Sequence, residues 1–327
     1  MALPVKNNTI TDVPGIKVGQ SEDERSRTGV TVILPDERAV CAVDVRGGGP
    51  GTRETDALAA HTLVDAVDAV VLSGGSSYGL AAVDGVVAVL GARGQGFGLV
   101  ERPGVPKSPV VPGAILYDLA NGGDKDWGEE PPYRDLGKQA LANVSTEVSV
   151  GRFGAGYGAI AGSRQGGIGS ASITSRDGFT LGAIVGVNSF GSVMMPGTDV
   201  FWAWPWEMEG EFGGQRPPAG WSAEPEDWGD AKLNPGAREN TTIACIATDA
   251  ALAPAQAQRL AIMAQDGFAR AIRPVHTPFD GDVVFALCTG RKPLGDAAEL
   301  TLARLGSLAA DCLARAIARG VFEASKA

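Results

Sequence analysis

Two histidines, His61 and His276, are all the imidazole in this 327-residue chain. They stand far apart with no ligand spacing, which argues against a structural or catalytic zinc site. The four cysteines, Cys41, Cys245, Cys288 and Cys312, are scattered within apolar segments. That is the pattern of buried free thiols in a reducing cytoplasm, not of a disulfide framework. Basic clusters are missing. With Asp+Glu 38 against Lys+Arg 28 and a formal charge of -10, no nucleic-acid surface is expected. No run nears the roughly 18 apolar residues of a membrane span. The opening Met1-Ala2-Leu3-Pro4-Val5-Lys6-Asn7-Asn8 lacks the apolar centre of a secretory signal. Nothing in the pattern calls for a metal or a cofactor, and no internal repeat is present.

What the chain does have is 44% apolar content and 46 glycines, about twice the average glycine share. Many of these glycines lie inside β-like stretches, where they allow close backbone approach. Residues 29–34 and 39–45 read as strands joined by a Pro35-Asp36-Glu37 turn. Residues 56–67 have helical spacing, with Leu58, Leu63 and Val64 on one face. A short strand at 69–72 runs through Ser73-Gly74-Gly75-Ser76-Ser77-Tyr78-Gly79 into a helix reaching about Leu90. A strand is expected over 110–119, a helix over 134–144, and two or three packed strands within 151–191. Residues 201–238 break the order, holding five of the six tryptophans with many prolines and acids; they read as an irregular, partly mobile loop. Beyond them come a strand at 241–248, a helix at 253–272 opening with Pro254, a strand at 282–288 and a long helix at 297–322. Interleaved strands and helices give an α/β or layered α+β class. The chain reads as one domain, 1–327.

The loop ends in Asn240-Thr241-Thr242-Ile243, a hydroxyl residue at the first position of an apolar strand. That layout suits a precursor that cuts itself at Asn240–Thr241 and uses the new N-terminal threonine as nucleophile. A free α-amine, with a pKa of about 7.7–8.0, can take the hydroxyl proton of its own residue and needs no histidine. The same residues also read as a strand that merely begins with two good β formers. Gly75-Ser76-Ser77-Tyr78-Gly79 matches a nucleophile elbow, with Ser77 as nucleophile and His276 as the downstream base, or else a tight glycine turn. Gly154-Ala155-Gly156-Tyr157-Gly158 resembles a phosphate cradle, but no helix or spaced acid follows it. Asp280-Gly281-Asp282 is a turn former at a strand mouth; its carboxylates could also hold an ammonium and tune its pKa. Asn188 and Tyr117, at the ends of apolar strands, either satisfy local backbone or donate to an oxyanion.

Taken in order, several blocks resemble one family. These are Thr11-Asp12-Val13-Pro14-Gly15-Ile16-Lys17-Val18-Gly19, Thr28-Gly29-Val30-Thr31-Val32, Arg46-Gly47-Gly48-Gly49-Pro50-Gly51-Thr52, and Leu72 to Leu80. Asn240-Thr241-Thr242-Ile243 and Phe279-Asp280-Gly281-Asp282 complete the set. The family is the self-processing aminopeptidase/amidohydrolase group: the L-aminopeptidase/D-amidase-esterase, the β-aminopeptidases and the 6-aminohexanoate-oligomer hydrolase. The threonine with Asp-Gly-Asp looks most like the oligomer-hydrolase branch. The resemblance implies a four-layer α/β/β/α sandwich similar to N-terminal-nucleophile hydrolases but of different topology. It implies autocleavage into 1–240 and 241–327, which stay together. Thr241 would be the nucleophile, Asp280 and Asp282 its supporting carboxylates, and Tyr117 and Asn188 the oxyanion donors. The substrate would be a small peptide-like amide, and the assembly a homo-oligomer, a tetramer of processed heterodimers. The branch's Ala-Gly-Lys block is Ala161-Gly162-Ser163 here, followed by Arg164, so the lysine's role is missing or has moved to Arg164. Rival readings are acyl transfer on the same architecture, as in the related ornithine acetyltransferases, a Ser77/His276 serine hydrolase, and a glycine-rich binding module.

Overall fold

Runs of β-branched residues build two sheets. The computed structural model describes residues 6–100, 102–232 and 240–326. The end of the tryptophan-rich stretch, with the Arg238-Glu239 pair before the junction, lies outside the described residues. In chain order the elements are strands β1 (Ile16–Asp23), β2 (Thr28–Pro35), β3 (Val40–Val45), β4 (Thr52–Arg53) and β5 (Val70–Ser73), then helix α1 (Ala81–Ala92). Strand β6 (Gly113–Ile115) and helix α2 (Tyr133–Ala142) follow, and then the short strands β7 (Ile160–Ala161) and β8 (Arg164–Gln165). Strands β9 (Gly167–Thr174), β10 (Thr180–Asn188) and β11 (Thr241–Ala250) lead into helices α3 (Pro254–Ala264) and α4 (Asp266–Ala271). Strand β12 (Val283–Lys292) and the long helix α5 (Ala298–Ala324) close the chain.

One sheet has the order β1-β2-β5-β6-β4, the other β3-β12-β11-β10-β9. Three apolar clusters separate four layers. Val30, Val32 and Val71 of the first sheet pack on Val83, Val86, Leu90 and Leu136 of α1 and α2. Ile33, Val70 and Leu72 of that sheet meet Ile184, Ile243, Cys245, Val283 and Phe285 of the second. The opposite face of the second sheet, including Val185, Ala244, Ile246 and Val284, packs on Leu260, Phe268, Leu313 and Ile317 of α3, α4 and α5. Side chains alternate across a strand, so β11 sends Ile243 and Cys245 to one core and Ala244 and Ile246 to the other. Each fully buried Ile, Val or Leu contributes about 1.5–3 kcal/mol. The architecture is the expected α/β/β/α sandwich. The four thiols are buried and unbridged. Among the described residues no helix is long and apolar enough to cross a membrane.

Most strand and helix expectations hold to within a few residues; three do not. The helix expected over 56–67 is only a 3-10 turn, Asp56–Leu58. Its apolar residues do not share a buried face: Leu63 is 69% exposed while Val67 is buried and bridges Ala39 in extended pairing. The strand expected over 110–119 shrinks to β6, because pairing with its parallel neighbour β5 spans only Gly113–Ile115. The helix expected over 253–272 divides at Gln265 into α3 and α4, where the Gln265 side chain donates to the Asp44 carbonyl at 2.8 Å.

Candidate active site

The site lies at one end of the second sheet, where topology brings four chain segments together. Strand β11 begins at Thr241 and pairs antiparallel with β10, so Thr241 stands opposite Asn188. Strand β12 runs parallel to β11, with Val283 beside Ile243, which puts Asp280, Gly281 and Asp282 next to the start of β11. Strand β3 pairs antiparallel with β12, Val45 against Val283, so the chain leaving β3 at Arg46–Pro50 arrives at the same place.

That chain is stitched to the Asp280–Asp282 turn through backbone bonds. Arg46 and Gly47 donate to the Asp282 carbonyl at 3.0 and 3.3 Å, Gly49 donates to the Asp280 carbonyl at 2.7 Å, and Gly48 to the Thr277 carbonyl at 3.2 Å. Glycine is required at residue 47 by close approach: a Cβ there would lie 2.2 Å from the Asp282 nitrogen. The Arg46-to-Thr52 block thereby acquires a structural cause.

Thr241 is buried, and its hydroxyl donates to the carbonyl of Asn240. The same carbonyl accepts the Gly281 N–H at 3.1 Å. The nucleophile candidate thus lies on the one carbonyl it would have to attack, and that carbonyl already has a backbone donor. Gly281 leaves room for this: a Cβ there would sit 2.7 Å from Thr241 Oγ1 and 2.8 Å from the Gly49 carbonyl oxygen. Asn240 is wholly buried, and its side-chain Oδ1 and Nδ2 make no hydrogen bond to any described residue. An unmet buried amide costs about 1–3 kcal/mol.

The two carboxylates divide the surroundings. Asp282 Oδ1 accepts the Thr242 N–H at 2.9 Å, while its Oδ2 takes His276 Nδ1 at 2.8 Å and the His276 N–H at 3.2 Å. His276 reaches both with φ at +54°, a left-handed conformation that costs a non-glycine residue about 1–3 kcal/mol. Asp280 accepts from the Thr277 hydroxyl at 2.6 Å, the Thr277 N–H at 3.0 Å and the Phe190 N–H at 3.1 Å. Burial, and after it the charge of Asp282, pushes the Asp280 carboxyl up to about 6, against the pull of those hydrogen bonds.

Beside Asp280 stands an aromatic wall. Phe190 meets Phe279 with ring centroids 5.7 Å apart and Trp228 at 6.0 Å; Phe279 and Trp228 are partly exposed.

A model of peptidase family S58 matches residues 8–327. The chain belongs to peptidase family S58. It is an amide-bond hydrolase. An uncharacterized aminopeptidase of Mycobacterium bovis is 44% identical over 334 residues, covering 97% of this chain and 94% of the relative. A 6-aminohexanoate-oligomer endohydrolase of a Kocuria species is 31% identical over 288 residues, 85% of this chain and 74% of that protein. The solved L-aminopeptidase D-Ala-esterase/amidase of Ochrobactrum anthropi, described as a new variant among the Ntn hydrolase fold, superposes with a TM-score of 0.68. It is 22% identical, and the match covers 98% of this chain and 87% of that one. The resemblance read from the ordered motifs is therefore correct at the level of family and fold.

Within this S58 chain, Thr241, Asn188, Asp280 and Asp282 come together. Tyr117 joins them by its backbone: its carbonyl accepts Asn188 Nδ2 at 2.8 Å, and the phenol makes no hydrogen bond to any described residue. Asn188 Oδ1 accepts Ile160 N–H at 2.9 Å and Asn121 Nδ2 at 3.2 Å. Arg164 is held by Asp230 at 2.7 Å, on the segment that leads toward Asn240.

The residues the sequence reading did not assign to this site are Gly281 and His276. Gly281 looked like a turn former, and a backbone N–H carries no side-chain signature. His276 was paired with Ser77; it binds Asp282 instead, while Ser77 is exposed in the 3-10 turn Ser76–Leu80. No hydrogen bond joins the two among the described residues. The Gly154–Gly158 segment is a buried turn, where a Cβ on Gly156 would lie 2.1 Å from the Ile168 nitrogen. Its glycines serve close packing.

Proposed function

We propose that this S58 chain is a self-processing amide hydrolase whose nucleophile is Thr241. In the precursor, Thr241 Oγ1 adds to the Asn240 carbonyl carbon while Gly281 N–H holds the carbonyl oxygen, a donor worth about 3 kcal/mol in such a role. The resulting ester is hydrolysed, giving chains 1–240 and 241–327 that stay together. The freed threonine amine then takes the hydroxyl proton, and Thr241 attacks a substrate carbonyl. Asp282, one residue away on the Thr242 N–H, and Asp280 hold the ammonium form and set its pKa. Gly281 N–H and Asn188 receive the oxyanion, and Tyr117 acts through its carbonyl to orient Asn188.

The substrates are small peptide-like amides or oligoamides, entering past Phe190, Phe279 and Trp228. Assembly as a homo-oligomer of cut protomers, a tetramer, belongs to the same reading.

One observation carries it: the Thr241 hydroxyl lies on the Asn240 carbonyl, beside a backbone donor and two buried carboxylates. Intact mass measurement of the purified protein tests it. Two fragments meeting at Asn240/Thr241 in the wild type, and one chain in Thr241→Ala, are expected. An uncut wild type that still hydrolyses amides would sink the proposal.

A further inference from the structure

Two of the ordered blocks, residues 28–32 and 72–80, belong to the first sheet and its turn, and both meet at one buried carboxylate. Asp118 follows β6 and is wholly enclosed. Its Oδ2 accepts the hydroxyl of Thr28, the first residue of β2, at 2.6 Å. Its Oδ1 accepts the Gly75 N–H, just after β5, at 2.8 Å. Glycine makes the room: a Cβ on Gly74 would lie 2.2 Å from Oδ2, and one on Gly158 3.1 Å from it. Burial raises the Asp118 carboxyl above the ordinary carboxylate range, while Thr28, Gly75 and the charge of Lys125 draw it down again. A buried carboxylate is costly unless it is bonded in this way, and hydrogen bonds to an ionised acceptor are the strong ones.

The same residue opens a turn that reaches the active site. The Asn121 N–H closes that turn on the Asp118 carbonyl at 3.0 Å, and Asn121 Nδ2 donates to Asn188 Oδ1 at 3.2 Å. On the other flank the Tyr117 carbonyl accepts Asn188 Nδ2 at 2.8 Å. An asparagine amide turned over by half a rotation exchanges its donor and acceptor ends. A carbonyl can only accept and an N–H can only donate, so the turn dictates which end of the Asn188 amide is the donor. Asn188 stands opposite Thr241 in the second sheet; Asp118 ties the turn to the first.

We propose that Asp118 is a positioning residue for amide hydrolysis, a role that rests on Asn188 receiving the oxyanion in turnover. Held by Thr28 and Gly75, it fixes the 117–121 turn and, through that turn, the Asn188 amide.

A double-mutant cycle on the cut enzyme tests this, with alanine p-nitroanilide as the probe. Asn188→Ala is expected to lower kcat by about a hundredfold, the loss of one oxyanion donor. Asp118→Asn, of the same shape, is expected to lower kcat roughly tenfold with KM within about twofold. The double variant should be no slower than Asn188→Ala alone, because a group acting through Asn188 then has nothing left to position. Thr28→Val removes the hydroxyl donor and should reproduce part of the Asp118→Asn loss, whereas Thr28→Ser should keep the wild-type kcat. If Asp118→Asn does not fold, Thr28→Val takes its place in the cycle. Losses that multiply to roughly a thousandfold, an effect confined to KM, or an unchanged kcat overturn the positioning role and leave Asn188 as the oxyanion donor. A wild-type kcat in Asn188→Ala overturns the oxyanion reading, and the positioning role with it.

Discussion

Two hydroxyl residues in this chain sit where a nucleophile is expected, and the structure treats them differently. Ser77 lies in a glycine-flanked turn after β5, in the pattern of an elbow, yet it is exposed, and among the described residues no hydrogen bond joins it to a histidine. Thr241 opens β11 with no extended motif of its own. It is nevertheless buried on a carbonyl, with Gly281 N–H, Asp280 and Asp282 around it. A local motif specifies a turn; a reactive site needs donors and carboxylates delivered by other segments. Here the second sheet delivers them and the first does not.

The sharpest way to break this comparison is to remove each hydroxyl. Thr241→Ala is expected to abolish cutting and lower kcat/KM for amide substrates by a factor on the order of 10⁵. Ser77→Ala should stay within about twofold of wild type. The reverse result would restore the elbow. The next largest effect is expected from Asp282→Asn, which weakens the group that the Thr242 N–H and His276 share; a loss of roughly 10²–10³ in kcat is the expectation. Gly281→Ala puts a Cβ against Thr241 Oγ1, and a misplacement of that size should slow cutting by about tenfold to a hundredfold, read from the fragment ratio over time.

The smallest effect concerns stability. Asp280 has a pKa raised from 3.8 to about 6, so the folded chain holds this proton more tightly than the unfolded one. Its contribution is fully present below about 4 and is lost as pH rises through about 6. In an uncut Thr241→Ala background, denaturant unfolding at pH 4 and pH 7 should show that decline, and Asp280→Asn should flatten it. An unchanged slope would mean that Asp280 is not the group responsible.

Much was legible from residues alone. Apolar runs located β2, β10 and β11, the strands that define the central layers, because a strand buried on both faces must be apolar throughout. The ordered motifs reached the family, and Thr241, Asp280 and Asp282 were named as one site. Other features lacked a one-dimensional trace. The 56–67 segment has helical spacing, but Val67 finds Ala39 as a strand partner, and a long-range contact outweighs weak propensity. Nothing along the chain announces that the Tyr117 carbonyl accepts from Asn188.

By itself, then, the sequence determined the layers, the family and a set of polar residues that the fold brings to one end of a sheet. These follow from hydrophobic period and from motif spacing, which are properties of neighbours along the chain. Tertiary structure alone decided that Gly281 supplies a donor, that His276 serves Asp282 and not Ser77, and that the Asn240 amide is buried with no hydrogen-bond partner among the described residues. Those are distances between segments that only the parallel pairing of β11 with β12 and the antiparallel pairing of β10 with β11 bring to one end of a sheet.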